Sequence, residues 1–352
     1  MDAMPNQREI ARHLGLAQST VSMALRNDPT IPRETCARVQ AAAARLGYRP
    51  NPMVASLMEH IRAGRRVEER ACIAILVDAA SEAEWLRGGG LGGQTYRLQY
   101  QGYREQAALR GYRTECFFLR APGMTAARLD RIFAARGIAG VILAAPKRKD
   151  TPPPSLRWER YACATLSYSW QHPTVDRAST HFRHAADVVF YKLQKFGYRR
   201  PGMCLPTESV DGVDSNWKAG FLLWQDRQRT LPGRNRVPLF AGRPGPTPLS
   251  EFRAWLEHWK PDVLVGLIGH EREWLDTLGL RVPGDIAMVC LNRPIDPTPY
   301  AGIDENNITV GAMVCDMVAN KLLLNERGLP VRPKTILIEG DWFDGETLPA
   351  RC

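Results

Sequence analysis

The chain has 352 residues, 44% of them hydrophobic, and a formal net charge of +10. That length excludes a single small domain, and that composition excludes a chain too polar to bury a core; two or three packed domains are expected. The basic balance points to a polyanionic partner without naming one. Residues 1–66 hold ten arginines, no lysine and only five acids, so the N-terminal end carries half of the net charge. Counterion release at a phosphate backbone requires such a concentration of charge. The eight cysteines are scattered, with no Cys-x-x-Cys pair. This spacing argues against a metal site and for buried, reduced thiols in a cytoplasmic protein. The opening MDAMPNQREIARHLG lacks the apolar segment of a signal peptide, and no apolar run approaches the about 20 residues of a membrane span.

In chain order, the first elements are three short helices. Asn6 and Glu9 stand in capping-box spacing, and Ile10, Ala11 and Leu14 form one apolar face that Gly15 ends. A second helix is expected over Gln18–Leu25, with Val21, Ala24 and Leu25 inward and Gln18, Ser19, Ser22 and Met23 outward. Asn27, Asp28 and Pro29 break the chain. A third helix is expected from Pro32 to Leu46, with Cys36, Val39, Ala43 and Leu46 on one side and Gly47 closing it. Two short helices joined at a glycine over a supporting third make helix-turn-helix geometry, with the second helix entering the major groove. On periodicity alone, a three-helix bundle with no DNA role stays open.

The run IARHLGLAQSTVSMALRN, followed by RVQAAAARLGYRPNP, resembles the DNA-binding head of the lac repressor (LacI/GalR) family. The matching positions are Ile10-Ala11, Gly15, Thr20-Val21-Ser22, Leu25 with Asn27, and Leu46 through Asn51. The resemblance implies that Gln18, Ser19 and Met23 meet base edges while Thr20, Ser22 and Asn27 meet phosphates. Two positions depart from the pattern. Ala17 stands where the family has a serine, which removes an N-cap worth about 1 kcal/mol. Met23 stands where the family has an arginine, exchanging a guanine fork for an apolar contact such as a thymine methyl. An operator unlike the family's commonest one is therefore expected. After Pro50-Asn51-Pro52, the run Met53–Met58 matches a hinge helix, and Leu57 matches the residue that wedges the minor groove. Two hinges packed side by side imply a homodimer on a near-palindromic site. The expected divisions are a head over residues 1–50 and a hinge and linker over 51–70.

From residue 71 onward, short apolar runs alternate with amphipathic stretches. Strands are expected at Cys72–Val77, Thr114–Leu119, Gly140–Ala145, Ala162–Leu166, Pro201–Leu205, Val263–Leu267, Ile286–Leu291 and Lys334–Glu339. Helices are expected at Leu98–Leu109, Ala126–Arg136, Ala185–Phe196, Trp217–Asp226 and Leu249–Trp259. This alternation predicts doubly wound parallel sheets with crossover helices, an α/β body behind an all-α head. Phe196-Gly197-Tyr198-Arg199-Arg200, Val282-Pro283-Gly284-Asp285-Ile286 and Glu339-Gly340-Asp341-Trp342 resemble further family motifs. The resemblance implies a two-lobed, periplasmic-binding-protein-like body that dimerises and holds a small effector, most often a sugar. The expected lobe 1 spans about 71–168 and 294–325, and lobe 2 about 169–293 and 326–352.

Two positions of the expected cleft depart from the family. Asn292 and Arg293 replace a pair of acids, and Trp217 replaces a ligand-gripping arginine. Trp217, Asn292 and Arg293 are the expected effector contacts, with core packing an equal alternative for Trp217 because Phe221 and Trp224 follow at helical spacing. The glycine-rich run Arg87–Gly93 lacks the Lys-Ser/Thr of a phosphate loop and reads as a loop at the cleft mouth. His181, His184 and Asp187 have near-ligand spacing with no carboxylate or cysteine placed to complete a metal site. No nucleophile elbow or carboxylate pair suggests catalysis, so neither an enzyme nor a cofactor is expected. The sequence therefore reads as a ligand-controlled, DNA-binding repressor. A ligand-independent architectural DNA-binding protein and a sugar-binding protein with a vestigial head remain as alternatives.

Overall fold

The computed structural model describes residues 7–46, 48, 71–87, 91–146, 151–170, 172–206, 215–228, 236–242, 249–267, 270–295 and 297–351. The head is α1 (Gln7–Leu14), α2 (Gln18–Ala24) and α3 (Arg33–Arg45). Ile10, Val21, Ala24, Val39 and Ala42 are wholly buried among them. These are the apolar positions that the 3.6-residue period selects. The expected boundaries hold to within a residue or two where they are described; Asn6 and Gly47 lie outside the described residues, as does the whole hinge run with Leu57.

The described residues of the body form two six-stranded sheets. In chain order its first elements are β1 (Cys72–Val77), α4 (Glu82–Leu86), α5 (Leu91–Leu109), β2 (Arg113–Phe118), α6 (Ala126–Arg136), β3 (Gly140–Leu143), β4 (Ala162–Leu166) and β5 (Asp176–Thr180). Then follow α7 (Phe182–Lys195), β6 (Pro201–Pro206), α8 (Asn216–Arg227), β7 (Phe240–Gly242), α9 (Leu249–Trp259), β8 (Val263–Gly266) and α10 (His270–Thr277). The chain closes with β9 (Ala287–Cys290), β10 (Ala301–Asp304), α11 (Asn307–Leu323), β11 (Thr335–Ile338) and β12 (Asp341–Phe343). One sheet has the order β11-β5-β4-β3-β1-β2, with every pair parallel. The other has the order β12-β10-β9-β8-β6-β7, parallel except for the antiparallel edge strand β12. The doubly wound expectation is met, and fully buried strands such as β1 read as unbroken apolar runs because helices cover both faces.

The division into lobes differs from the expected one. The chain passes between sheets after β5, after β10 and between β11 and β12. Lobe 1 thus holds 72–180 and 307–338, and lobe 2 holds 182–304 and 341–351. β5 (DRAST) and β10 (AGID) were not expected as strands, because neither carries the apolar run of a buried central strand. β11 was expected as a strand but in lobe 2; it pairs with β5 in lobe 1.

Helix α11 is the strut of lobe 1, lying against α5 and under β3, β4 and β5. Its approach to α5 is made at two glycines. A Cβ on Gly102 would stand 2.1 Å from the Ile308 carbonyl oxygen, and one on Gly311 would stand 2.3 Å from that of Gln99. Backbone therefore meets backbone, leaving no room for a methyl group. Around this contact, Gln99 donates to Asn307 at 2.8 Å, and Gln106 and Arg110 both donate to Asp316 at 2.7 Å. Lower on α11, Lys321 pairs with the buried Asp176 at 2.8 Å and donates to the Cys163 carbonyl at 3.2 Å, tying the helix to β4 and β5. The described cysteines are buried or half-buried and unbonded to one another, and burial pushes the Cys163 thiol up to about 11.

Gly311→Ala is expected to lower stability by about 1–3 kcal/mol through overpacking at this contact. Thermal melting of the full chain checks it; a variant that melts with the native protein contradicts the close approach.

Candidate DNA-reading head and effector cleft

Helix α2 stands on the head with its N-terminal end in solvent. Gln18 and Ser19 are exposed, while Thr20, Ser22 and Met23 are half-buried at its flank. Ala17 caps the helix without a side-chain hydrogen bond, as its methyl group dictates. Gly15 turns the chain between α1 and α2 at φ +66°. Arg8 of α1 donates to the Gln18 side chain at 3.4 Å, which brings a guanidinium beside the first residue of α2. Asn27 is exposed in the left-handed conformation at φ 54°, and its side-chain oxygen accepts from Gln40 of α3 at 2.6 Å. The turn beyond it is closed by Asp28, which accepts from the Thr30 hydroxyl at 2.6 Å and the Thr30 amide at 3.0 Å. Those bonds hold the Asp28 carboxyl below the ordinary carboxylate range. Five of the seven expected DNA contacts, Gln18, Ser19, Thr20, Ser22 and Met23, thus share one short helix, with Asn27 at the turn after it and Leu57 outside the described residues.

In the body, position follows from topology. β5, β10 and β11 each leave the carboxyl edge of their own sheet and enter the other lobe, so the carboxyl edges of both sheets face the junction. Open parallel sheets bind ligands at that edge. On the lobe 1 side, Asp78 follows β1, accepts from the Thr151 hydroxyl at 2.7 Å and pairs with Arg120 at 3.3 Å. Ser167 follows β4 at φ 51°, with its hydroxyl buried and without a partner among the described residues. On the lobe 2 side, β9 runs out through Leu291 to Asn292 and Arg293.

The three expected effector residues are placed as follows. Trp217 is 2% exposed in the lobe 2 core, with its ring 5.4 Å from that of Phe182. Of the two readings open for it, the structure has the core one, and Phe182 supplies the reason. Arg293 is also buried; its guanidinium lies 4.5 Å over the Phe343 ring and donates to the Tyr300 carbonyl at 3.4 Å. The expected donor fork is therefore turned into lobe 2 rather than toward a ligand. Asn292 stands at the junction, and its amide donates to the Thr95 hydroxyl of α5 at 2.9 Å. The Gln94 side chain beside it donates to the Arg293 carbonyl and accepts from the Ile295 amide, both at 3.3 Å.

Where the lobes join, polar side chains bind the crossovers to one another. The Thr180 hydroxyl donates to the Glu305 carbonyl at 2.9 Å, and the Asn306 amide donates to the Glu339 carbonyl and the Asp341 carboxylate, each at 2.9 Å. Glu305 itself is fully enclosed. Burial pushes its carboxyl up to about 8, opposed by the Asn307 amide bond and reinforced by Asp304. Glu339, far along the sequence, reaches His181 at 3.0 Å and His184 at 3.4 Å, so a carboxylate does meet the two histidines, contrary to expectation. Asp187 points elsewhere and pairs with Arg183 at 2.6 Å. Among the described residues, no group of three ligand-type side chains has the arrangement to hold a metal ion. No helix is long and apolar enough to cross a membrane among those residues. Gln94, Thr95, Glu305 and Glu339 escaped the sequence reading. The polar run Asp304-Glu305-Asn306-Asn307 directly after a strand was the available signal for one crossover.

Residues 7–51 match the sequence profile described as "Bacterial regulatory proteins, lacI family". The match covers the three helices of the head and stops there. The whole chain is similar in fold to a transcriptional regulator CelR in complex with cellobiose, at TM-score 0.58 and 16% identity, covering 97% of this chain and 99% of that one. It is likewise similar to the lac repressor dimer bound to operator and the anti-inducer ONPF, at TM-score 0.55 and 15% identity, covering 99% and 100%. A LacI family regulator from Enterococcus faecium with bound ribose matches at TM-score 0.55 and 13% identity, covering 80% of this chain and 100% of that one. No curated protein sequence matches. The matched head thus precedes a body of the two-lobed fold seen in those regulators.

The Glu305 carboxyl gives a pH dependence of known sign. Its folded value lies above its unfolded one, so the stability it contributes is fully present below about pH 4.5 and is lost as pH rises toward 8. Glu305→Gln removes that titration. The native chain is expected to lose more thermal stability between pH 5 and 8 than the glutamine variant does. Parallel pH profiles for the two proteins in differential scanning calorimetry contradict the burial of this acid.

Proposed function

We propose that the chain is a sequence-specific DNA-binding transcription repressor, acting in the cytoplasm as a homodimer. Its operator affinity is controlled by a small hydroxylated ligand, a sugar or sugar derivative, held between the lobes. The observation that carries this reading is the lacI-family head joined to a body whose two sheets turn their carboxyl edges toward one another. Support for a sugar comes from the cellobiose and ribose in two regulators of similar fold. Support for a dimer on DNA comes from the operator-bound lac repressor dimer.

On DNA, Gln18, Ser19 and Met23 read bases, while Thr20, Ser22 and Asn27 hold phosphates. Gln18 forms hydrogen bonds to a base edge; Met23 supplies apolar contact only. Leu57 enters the minor groove and bends the site. Of the three residues expected at the effector, Asn292 is retained as a ligand contact, supported by its side-chain bond across the junction to Thr95. Trp217 and Arg293 act behind it as packing. No catalytic step is assigned to the protein.

Selection of bound fragments from a random DNA pool tests the docking. Gln18→Ala and Met23→Ala are each expected to relax preference at one position and to weaken the selected site by about 1–3 kcal/mol. Thr20→Ala should weaken all sequences alike and leave the salt dependence unchanged, because the hydroxyl carries no charge. An unchanged selected motif in both base-contact variants contradicts this docking. Leu57→Ala is expected to reduce operator bending in circular-permutation gel shifts while leaving the melting of the body unchanged; equal bending by both proteins removes the wedge.

A further inference from the structure

At the mouth of the junction, the first described turn of α5 in lobe 1 meets the segment after β9 in lobe 2. The amide of Asn292 donates to the Thr95 hydroxyl at 2.9 Å. One Gln94 side chain spans two backbone groups of the same segment, donating to the Arg293 carbonyl and accepting from the Ile295 amide, both at 3.3 Å. These bonds are noncovalent and lie beside the β10–α11 passage: Gln99, one turn further along α5, bonds Asn307, and Arg293 bonds Ile303 of β10. The lobe 2 side is held rigid from behind. The Arg293 amide donates to the Ile303 carbonyl at 2.8 Å, and its guanidinium is stacked on Phe343 at 4.5 Å. On the lobe 1 side, α5 is fixed to α11 by the backbone contact at Gly102 and Gly311. Two rigid bodies are thus joined by a small set of polar side-chain contacts beside the β10–α11 passage.

We propose that Gln94, Thr95 and Asn292 form an interlobe latch that sets the closure equilibrium of the body, and through it the operator affinity. The second half of this statement rests on the regulatory function proposed above. The latch is neutral, so it works without a titrating group. Each bond contributes modestly, because folding exchanges water bonds for protein bonds. That suits a switch, since an equilibrium that a ligand can move must be close to balance. The amide of Asn292 is drawn on by Thr95, so an effector that engages Asn292 acts on the latch itself.

The full-length protein tests this through Thr95→Val, which keeps the shape of the side chain and removes the acceptor, through Asn292→Ala, and through their combination. Small-angle X-ray scattering reports lobe separation, and fluorescence anisotropy on the selected operator reports affinity. Each single variant is expected to enlarge the radius of gyration and to change the operator Kd by about two- to tenfold. The double variant should do no more than either single one, since both remove the same bond. The shift should be the same at pH 6 and pH 8, which separates it from titration of Glu305. Gln94→Ala provides a second, independent break should Thr95→Val fail to fold. Scattering curves identical to the native one for Thr95→Val and Gln94→Ala overturn the latch. Enlarged bodies with unchanged operator affinity uphold the latch and overturn the coupling to DNA, and with it the regulatory reading on which that coupling rests.

Discussion

Every feature of the body depends on three chain passages that leave the carboxyl edges of parallel strands. Because β5, β10 and β11 all exit from that edge, the two sheets face one another across the junction. The passages are bound side by side through Thr180, Asn306 and the Glu339 carbonyl rather than left as separate linkers. A hinge built this way has a defined axis, since three bonded segments resist shear and splay more than they resist bending about their own line. The cost is an enclosed acid: Glu305 has the Asn307 amide as its bonded neighbour while Asp304 lies close by, so burial holds it in its protonated form at neutral pH. A buried, uncharged carboxyl at a hinge ties lobe geometry to proton binding, since any motion that admits water favours the ionised form.

Rigidity within each lobe has a different origin. In lobe 1, the approach of α5 and α11 leaves no space for a Cβ at Gly102 or Gly311, and a buried Lys321–Asp176 pair pins α11 to β5. Losing one partner of such a pair strands a charge in a dry interior, typically at about 3–5 kcal/mol. In lobe 2, stacked Phe190, Phe221 and Trp224 lie between α7 and α8, and Trp217 and Phe182 extend that layer toward the hinge. Motion is thereby directed to the junction. Two stiff lobes, one bonded hinge and one set of weak polar contacts beside it are parts from which a ligand-operated body can be built.

The head was legible in the sequence because three signals agree there: apolar residues at helical spacing, a glycine at the turn, and arginines on the outer surfaces. The body was legible wherever a strand is an unbroken apolar run, as in CIAILV of β1. β5 and β10 were missed for a physical reason. Each ends at a crossover, where side chains such as Thr180 and Asp304 serve hinge bonding rather than a dry core, so hydropathy falls where the strand matters most. The lobe boundaries moved with them. Trp217 and Arg293 show the complementary limit. Residue type and motif position placed them near a ligand edge, whereas the direction of each side chain is set by Phe182 and Phe343, partners 35 and 50 positions away. Asn292 bonds Thr95 of the other lobe, a partner beyond the reach of any local pattern.

In the proposed regulator, ligand between the lobes and DNA at the head act on one equilibrium. Linkage makes that claim quantitative: the factor by which a ligand alters operator affinity must equal the factor by which operator alters ligand affinity. The direct measurement is isothermal titration calorimetry of the full-length protein with a panel of mono- and disaccharides, with and without the selected operator. Fluorescence anisotropy with and without the ligand found supplies the other arm of the cycle. The account predicts a sugar whose affinity changes on DNA by the same factor, about 5–150-fold for typical allosteric coupling, as the operator Kd changes with sugar. A sugar that binds with equal affinity to the free and the operator-bound protein contradicts it.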